Sequence, residues 1–391
     1  MRILLAPDLH CHQTNYGRML PSGEHSRLVE WRETAYAMFE VAKAKGVTHA
    51  VFPGDFFVTA RPSPRQVLEV GNLFRMFENA DIEVIGFPGN HDLPGIGQTG
   101  PCDLVAAMGH VMLRWAVNKP VVVGINGVVF AVLPSVKPAA LNAEATDPTE
   151  AAQQLSSALL DIAQSLRAQC PENCPKILCG HWTIGGSITS TNQVLGGTEP
   201  QLPLGELLGM GFDAYLFGHI HKPQVLHEKP FVGYAGALQR CDFGEENDPR
   251  GCWIIDLETG SHEWVDLPAR EFRTCLVYEE ELPHLIEKPQ DIAAFTGVKD
   301  AIVRVKYKAT EEQAKQVDGG AIIKALQDAD AHHVAGIFPE IIKSERTREA
   351  GITEGTSPIQ ALETWLKGQD MGAHLKGLVL STAEELLEEV R

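Results

Sequence analysis

The sequence predicts an α/β fold: sheets flanked by helices, a site at the carboxyl ends of the strands, then a smaller α+β unit and C-terminal helices. Three observations predict it. Short aliphatic runs alternate with helix-period segments through the first two-thirds of the chain. The pattern shifts to a hairpin and a compact α+β layout after about residue 250. Several of the early aliphatic runs end directly in Asp, Asn or His.

RILLA (residues 2–6) is the first strand, and SRLVEWRETAYAMFEVAKAKG (26–46) has apolar residues at helical spacing, with Gly46 as a natural stop. THAVF (48–52) is the second strand, and a helix starts near Pro64 and runs through Leu68 to Phe77. IEVIGF (82–87) follows as a strand, and VVVGINGVVFAVL (121–133) reads as two buried strands around an Asn126-Gly127 turn. A helix lies within PTEAAQQLSSALLDIAQSLRAQC (148–170), and KILC (176–179) and DAYLF (213–217) are strands. WIIDLETGSHEWVDL (253–267) is a hairpin. AIVRVKYK (301–308) is a strand and GGAIIKALQDA (319–329) a helix. REAGITEGTSP (348–358) has linker composition. Two short amphipathic helices are expected after it. PIQALETWLKG puts Ile359, Leu362 and Leu366 on one face, and STAEELLEEV does the same with Leu386, Leu387 and Val390.

A chain of 391 residues exceeds one ordinary core, and the pattern changes divide it into 1–268, 269–347 and 348–391. The start, MRILLAPDLH, is too short an apolar run for a secretory signal, and no segment is long enough to span a bilayer, so a cytoplasmic chain is expected. The cysteines are scattered, as buried thiols of a reducing compartment would be. Cys170 and Cys174 form one close pair with no second pair to complete a zinc site. The formal charge of −18 excludes nucleic-acid binding by surface charge alone.

The polar residues that follow the strands carry the chemistry. RILLAP leads into Asp8-Leu9-His10, VFP into Gly54-Asp55, VIGFP into Gly89-Asn90-His91-Asp92, KILCG into His181, and AYLFG into His219-Ile220-His221. Each alone has an ordinary reading as loop or turn chemistry. His12, His25, His110, His227, His332 and His333 keep that reading, as solvated or satisfied histidines. Together, metal-capable side chains delivered to one edge of an open α/β sheet make a ligand site. Imidazole, carboxylate and amide oxygen suit a divalent ion such as Mn²⁺ or Fe²⁺. A pair of such ions activates water and stabilises an in-line phosphoryl displacement.

In this order, D-x-H, G-D, G-N-H-D, a lone H and G-H-x-H resemble the calcineurin-like metallophosphoesterases. A second block, GHIHKPQ (218–224) with VGYAGALQRCDFGEENDPRGCWIIDL (232–257), resembles the Mre11/SbcD DNA repair nucleases. The resemblance runs from residue 8 to about 257, and beyond that only the layout is similar. It implies that Asp8, His10, Asp55 and His221 hold one metal and that Asp55, Asn90, His181 and His219 hold the other, with Asp55 as bridge. It implies two Mn²⁺ ions, with Fe²⁺ or Mg²⁺ as alternatives. His91 would be the catalytic group that meets the scissile phosphate and helps the leaving oxygen, supported by Asp92. The implied activity is exonuclease and endonuclease hydrolysis of DNA ends, hairpins and single strands, in DNA repair or recombination. The middle segment would cap the DNA, and the C-terminal helices would dock on a Rad50/SbcC-like coiled-coil ATPase. A homodimer would form through helices near 64–79 and 96–110, at the nucleoid of a cell.

Three departures from that pattern stand out. Val58 occupies a position that is usually His or Asp beside the catalytic histidine, so a less well-positioned His91 is expected. Ala237 stands where Ser is common, and Gly251-Cys252 replaces part of a K-G-F strand. A phosphatase or phosphodiesterase of small substrates would share every ligand. A weakly active scaffold subunit of an ATPase complex is the other competing reading.

Overall fold

The computed structural model describes residues 1–11, 15–94, 98–108, 119–136, 147–190, 199–292, 295–342, 356–369 and 371–389. Contacts divide the chain into two compact units, one of residues 1–306 and 318–338, the other of residues 307–317 and 339–391.

The first unit is built on two sheets. Strands β1 (Arg2–Leu5), β2 (His49–Phe52) and β3 (Glu83–Gly86) are parallel neighbours. The hairpin β12 (Gly251–Asp256) and β13 (Ser261–Asp266) extends that sheet on the β1 side, in the order β13-β12-β1-β2-β3. The second sheet contains β4 (Val121–Ile125), β5 (Val128–Leu133), β6 (Lys176–His181), β9 (Ala214–Gly218), β10 (Gln224–His227) and β11 (Phe231–Tyr234). Its order is β10-β11-β9-β6-β5-β4, with β5, β6, β9 and β11 parallel and an antiparallel strand at each edge.

Strand periodicity explains why two sheets form. Alternate side chains point to opposite faces, and here both faces are apolar. Ile3 and Leu5, Val51, and Ile85 and Phe87 pack against Phe130, Ile177, Cys179 and Leu216 in a core between the sheets. Leu4 and Ala6, Ala50 and Phe52, and Val84 turn the other way. They meet helix α1 (Ser26–Ala44) and helix α2 (Pro64–Asn79). Ala131, Leu178, Tyr215 and Phe217 face the helix Pro148–Gln169 and Leu207 on the far side. The result is four layers, helix–sheet–sheet–helix. Helix α2 starts as its sequence requires: Ser63 caps it, Gln66 completes a capping box and Pro64 takes the first turn. No helix among the described residues is long and apolar enough to cross a membrane.

A third sheet, β14 (Phe272–Val277), β15 (Ile302–Ala309) and β16 (His333–Ile341), follows the hairpin, with the helix Gly319–Asp328 between its last two strands. The second unit contains the helices Pro358–Lys367 and Ala373–Glu389. Leu366 is buried, Ile359 and Leu362 are half-buried, and Leu386 and Leu387 are exposed. Val390 lies outside the described residues, as do 348–355 of the expected linker and parts of the expected 96–110 helix.

The histidines expected to have ordinary partners include His25, which caps α1 by accepting from Arg27 N, and His227, whose Nδ1 lies 2.9 Å from Pro230 O. His12 and His110 lie outside the described residues. His332 sits 3.0 Å from Ser26 Oγ beside a buried charge cluster in which Glu30 accepts from Arg27 and Arg270. Burial and the adjacent Arg270 push His332 down to about 4, against the pull of Glu30. The folded chain therefore binds fewer protons at this ring than the unfolded chain, whose histidine titrates near 6.5. Thermal stability is expected to fall as pH drops from about 6.5 toward 4. In His332→Gln the same pH scan of melting temperature is expected to be flatter.

Candidate metal centre

The parallel strands β1, β2, β3, β6 and β9 end at one edge, and the loops beyond them stay zipped together. Asp8 N donates to Gly236 O, and Leu238 N donates to Asp8 O. On the other side His10 N donates to Asp55 O and Cys11 N to Phe56 O, each at 2.8 Å. The β1 loop is thus held by backbone bonds between the 54–57 and 236–238 loops. Such bonding supports unusual backbone: His10, Asp55 and His219 have φ of 38°, 49° and 100°, the left-handed region that non-glycine residues rarely occupy.

Two glycines make room. A Cβ on Gly89 would lie 2.2 Å from Asp55 Oδ1, and one on Gly218 would lie 2.5 Å from Asp8 Oδ1. Neither distance is compatible with a side chain, so glycine at both positions is a packing requirement of the carboxylates.

The expected ligands converge. Asp8, His10 and His221 form one group whose ligand atoms lie within 4.8 Å of one another, and Asp55, His181 and His219 form a second. Asp55 links the groups: its Oδ2 lies 3.2 Å from His181 Nε2 and 3.6 Å from His10 Nε2. Asn90 Oδ1 lies 2.9 Å from His181 Nε2 and 3.0 Å from His219 Nδ1.

The proton inventory shows what these rings can bind. His181 Nδ1 faces the Pro53 carbonyl at 2.7 Å, so Nδ1 carries the proton and Nε2 points a lone pair at Asp55 and Asn90. His221 Nδ1 faces Glu245 Oε1 at 2.7 Å, which leaves Nε2 pointing at His10 Nε2, 2.9 Å away. His219 Nε2 faces Glu199 Oε1 at 2.5 Å, which leaves Nδ1 inward. The inward nitrogens of His181 and His219 therefore meet the Asp55 and Asn90 oxygens, and that of His221 meets His10, a donor set that a divalent cation would satisfy. Asp8 adds a further sign: its Oδ1 is buried with no hydrogen-bond partner, while Oδ2 accepts from His219 N. An orphaned buried carboxylate oxygen among imidazole lone pairs fits a divalent ion.

Burial works against the charged form of His221, yet Cys241 and Glu245 raise this ring well above the ordinary histidine value. Burial, then Asp55, raises Asp8 well above the usual carboxylate range. Burial, then His221, lowers His10 to about 3, so its ring is neutral. For Asp55, burial pushes upward, but the adjacent His181 leads the groups that more than offset it and hold the carboxyl below its ordinary value.

His91 lies exposed at the rim, with Asp55 Oδ1 accepting from its backbone N–H at 2.9 Å. Its Nδ1 is 2.8 Å from the carbonyl oxygen of Val58. The anchor for His91 is therefore supplied by the backbone of residue 58, whatever its side chain. This modifies the expectation that Val58 leaves His91 poorly positioned. Asp92 is buried and does not face the opening. Its carboxylate accepts from Gly89 N, Phe56 N and Phe57 N, tying the 54–57 loop to the 89–92 turn. Its part is to hold both loops, the supporting role, and no oxygen is left over for substrate. Burial and then Asp55 push this carboxyl up to about 8, against those three N–H donors.

Sequence reasoning missed Glu199 and gave Glu245 no role. Glu245 lay in the quoted DFGEE run, so a signal existed. Glu199 stands outside every motif.

Residues 1–223 match the family described as calcineurin-like phosphoesterase. The chain is similar to the SbcD component of the nuclease SbcCD of Staphylococcus saprophyticus, 25% identical over 254 residues, covering 62% of this chain and 64% of that one. It is similar to the uncharacterized metallophosphoesterase YhaO of Bacillus subtilis, 23% identical over 397 residues, covering 95% and 88%. It is also similar to the DNA double-strand break repair protein Mre11 of Methanosarcina acetivorans, 24% identical over 390 residues, covering 91% and 56%. The match thus spans less than two thirds of that SbcD protein and of the Mre11 protein.

Gly89→Ala drives a methyl group against Asp55, so it is expected to weaken divalent-ion binding by about tenfold or more and to cost about 1–3 kcal/mol of stability. Isothermal titration with Mn²⁺ and a denaturant melt measure the two effects.

Proposed function

The chain belongs to the calcineurin-like phosphoesterase family, and on that premise we propose that it is a metal-dependent DNA nuclease subunit that hydrolyses phosphodiesters. Membership in the family implies a hydrolase with divalent metal ions, and the converging ligand groups suit such ions. The observation that carries the proposal is the convergence of Asp8, His10, Asp55, Asn90, His181, His219 and His221, with a ring nitrogen of each histidine turned inward. The nuclease assignment draws on the relatives named as SbcCD nuclease components and as Mre11.

Asp8, His10, Asp55 and His221 would hold one ion, and Asp55, Asn90, His181 and His219 the other. Two such ions, Mn²⁺ in this proposal, supply Lewis-acid activation of water and charge neutralisation at the phosphoryl group. The protein's own contribution is to orient. His91 has its Nδ1 proton donated to Val58 O, which leaves Nε2 at the exposed rim to meet a phosphate oxygen or the leaving group. Asp92 keeps the Asp55 and Asn90 loops in register by its three backbone bonds.

The proposal extends to the rest of the chain. Residues 1–268 form the nuclease domain, 269–347 cap the DNA, and 348–391 dock on a Rad50/SbcC-like coiled-coil ATPase. The chain acts in the cytoplasm as a homodimer through the 64–79 and 96–110 segments. With a charge of −18, such a chain draws much of its DNA affinity from its metals and its partner.

The test is cleavage of end-labelled hairpin, single-stranded and duplex DNA in Mn²⁺, with and without the cognate ATPase, beside a nitrophenyl phosphate ester. Mn²⁺-dependent DNA cleavage with slow ester turnover is expected. The reverse preference would point to a phosphatase of small substrates, a reading favoured by the near full-length match to a relative whose name carries no substrate. Asp55→Asn is expected to abolish cleavage. His91→Ala is expected to retain Mn²⁺ binding but to lose about 10²-fold or more in rate. Val58→Ala should stay within about threefold, because the His91 anchor comes from the backbone carbonyl, which a side-chain change leaves in place.

A further inference from the structure

His219 and His221 are neighbours in one motif, yet they present opposite ring nitrogens to the site. His221 turns Nδ1 outward to Glu245 and Nε2 inward. His219 turns Nε2 outward to Glu199 and Nδ1 inward to Asn90 Oδ1. A neutral imidazole has one N–H and one lone pair, and a carboxylate only accepts. The carboxylate behind each ring therefore decides which nitrogen is left to bind.

The two carboxylates are built differently. Glu245 is 5% exposed and also accepts from Arg250 Nη2 at 2.8 Å and Cys241 N at 2.9 Å. Glu199 has a side chain 32% exposed. Its carboxylate is steadied by Thr183 Oγ1, which donates to Oε1 at 3.0 Å. Just past His181, β7 (Thr183–Ile184) pairs in parallel with β8 (Gln201–Leu202), and Glu199, two residues before β8, lies against His219.

We propose that Glu199 is a positioning residue that selects the Nε2–H tautomer of His219 and so sets how tightly the ion on the Asp55, Asn90, His181 and His219 side is held. The inference rests on the dinuclear reading of the site. It makes the two ion positions unequal. The His221 side is backed by a buried, arginine-braced carboxylate. The His219 side depends on a half-exposed one, and so is the more easily emptied.

The test compares wild type, Glu199→Ala and Glu199→Gln by Mn²⁺ titration followed by electron paramagnetic resonance, and by ¹⁵N-histidine NMR of the ion-free full chain. Glu199→Ala is expected to weaken one of two bound ions by about 10–100-fold and to leave the other ion and the ion-free melting temperature unchanged. The His219 ring is expected to lose its Nε2–H preference. Glu199→Gln keeps an accepting oxygen and should stay near wild type in both readouts. Two full-affinity ions in Glu199→Ala would overturn the inference. So would a fall in ion-free melting temperature that accompanies loss of both ions. Glu199→Gln as weak as Glu199→Ala would overturn it too, in favour of direct ligation by the carboxylate. A wild-type chain that binds no pair of ions would overturn the dinuclear reading, and the histidine spectrum would then decide whether Glu199 selects the tautomer.

Discussion

One buried carboxylate, Asp55, organises the whole strand-end edge. Its side chain faces His10 and His181 and accepts from the His91 backbone, while its own carbonyl accepts from His10 N. Holding a carboxylate there, on a left-handed backbone, requires that the loop around it cannot relax. The apolar residues after it meet that need. Phe56 and Phe57 are fully buried, and the Phe56 ring packs edge-on to Phe74 of α2 at 5.4 Å. Their backbone N–H groups, which would otherwise be stranded in the core, are taken up by Asp92. The apolar run after Asp55 is thus the anchor of a ligand loop, and Asp92 is what makes an apolar anchor tolerable.

That edge also explains the choice of histidine. Carboxylates, imidazoles and an amide crowd one small volume, and burying several charges there without compensation would be costly. The fold spreads the load by pinning the outer nitrogens of the rings to oxygens: Pro53 carbonyl for His181, Glu199 for His219, Glu245 for His221. The inner nitrogens are left facing the site. Burial and then His221 keep His10 neutral.

Much of this was legible in the sequence because both strand period and ligand chemistry are local. RILLA, THAVF and IEVIGF became strands within a residue or two of the expected bounds, and each delivers its polar residue as expected. What local pattern could not show was the partition into two sheets, since β1 to β3 and β5 to β9 have the same apolar character on both faces. The last helix is longer than the STAEELLEEV segment expected from its apolar face. In the structure the Ser381 and Thr382 hydroxyls both donate to Leu378 O, one turn back, and the helix runs uninterrupted from Ala373 to Glu389. Glu199 was invisible because its meaning depends on a ring twenty residues away. The contact of His91 with the Val58 carbonyl was not legible because a motif records side chains and this atom belongs to the backbone.

The same wiring bears on how an acidic chain meets an anionic substrate. The donor set is rich in carboxyl groups, Asp8 and Asp55 among the inward groups and Glu199 and Glu245 behind the rings. A phosphodiester approaching that edge alone would be repelled, as it would be by a chain of net charge −18. On the proposed dinuclear reading, two divalent ions would reverse the sign of the edge locally and leave the rest of the surface acidic. Phosphate recognition would then be conditional on ion occupancy, and nonspecific attraction to DNA away from the site would stay weak. A basic surface would give tighter binding but would hold DNA whether or not the site was loaded. On that proposed reading the acidic composition and the carboxylate-rich donor set act in the same direction, and the ions would be the gate through which a phosphate enters.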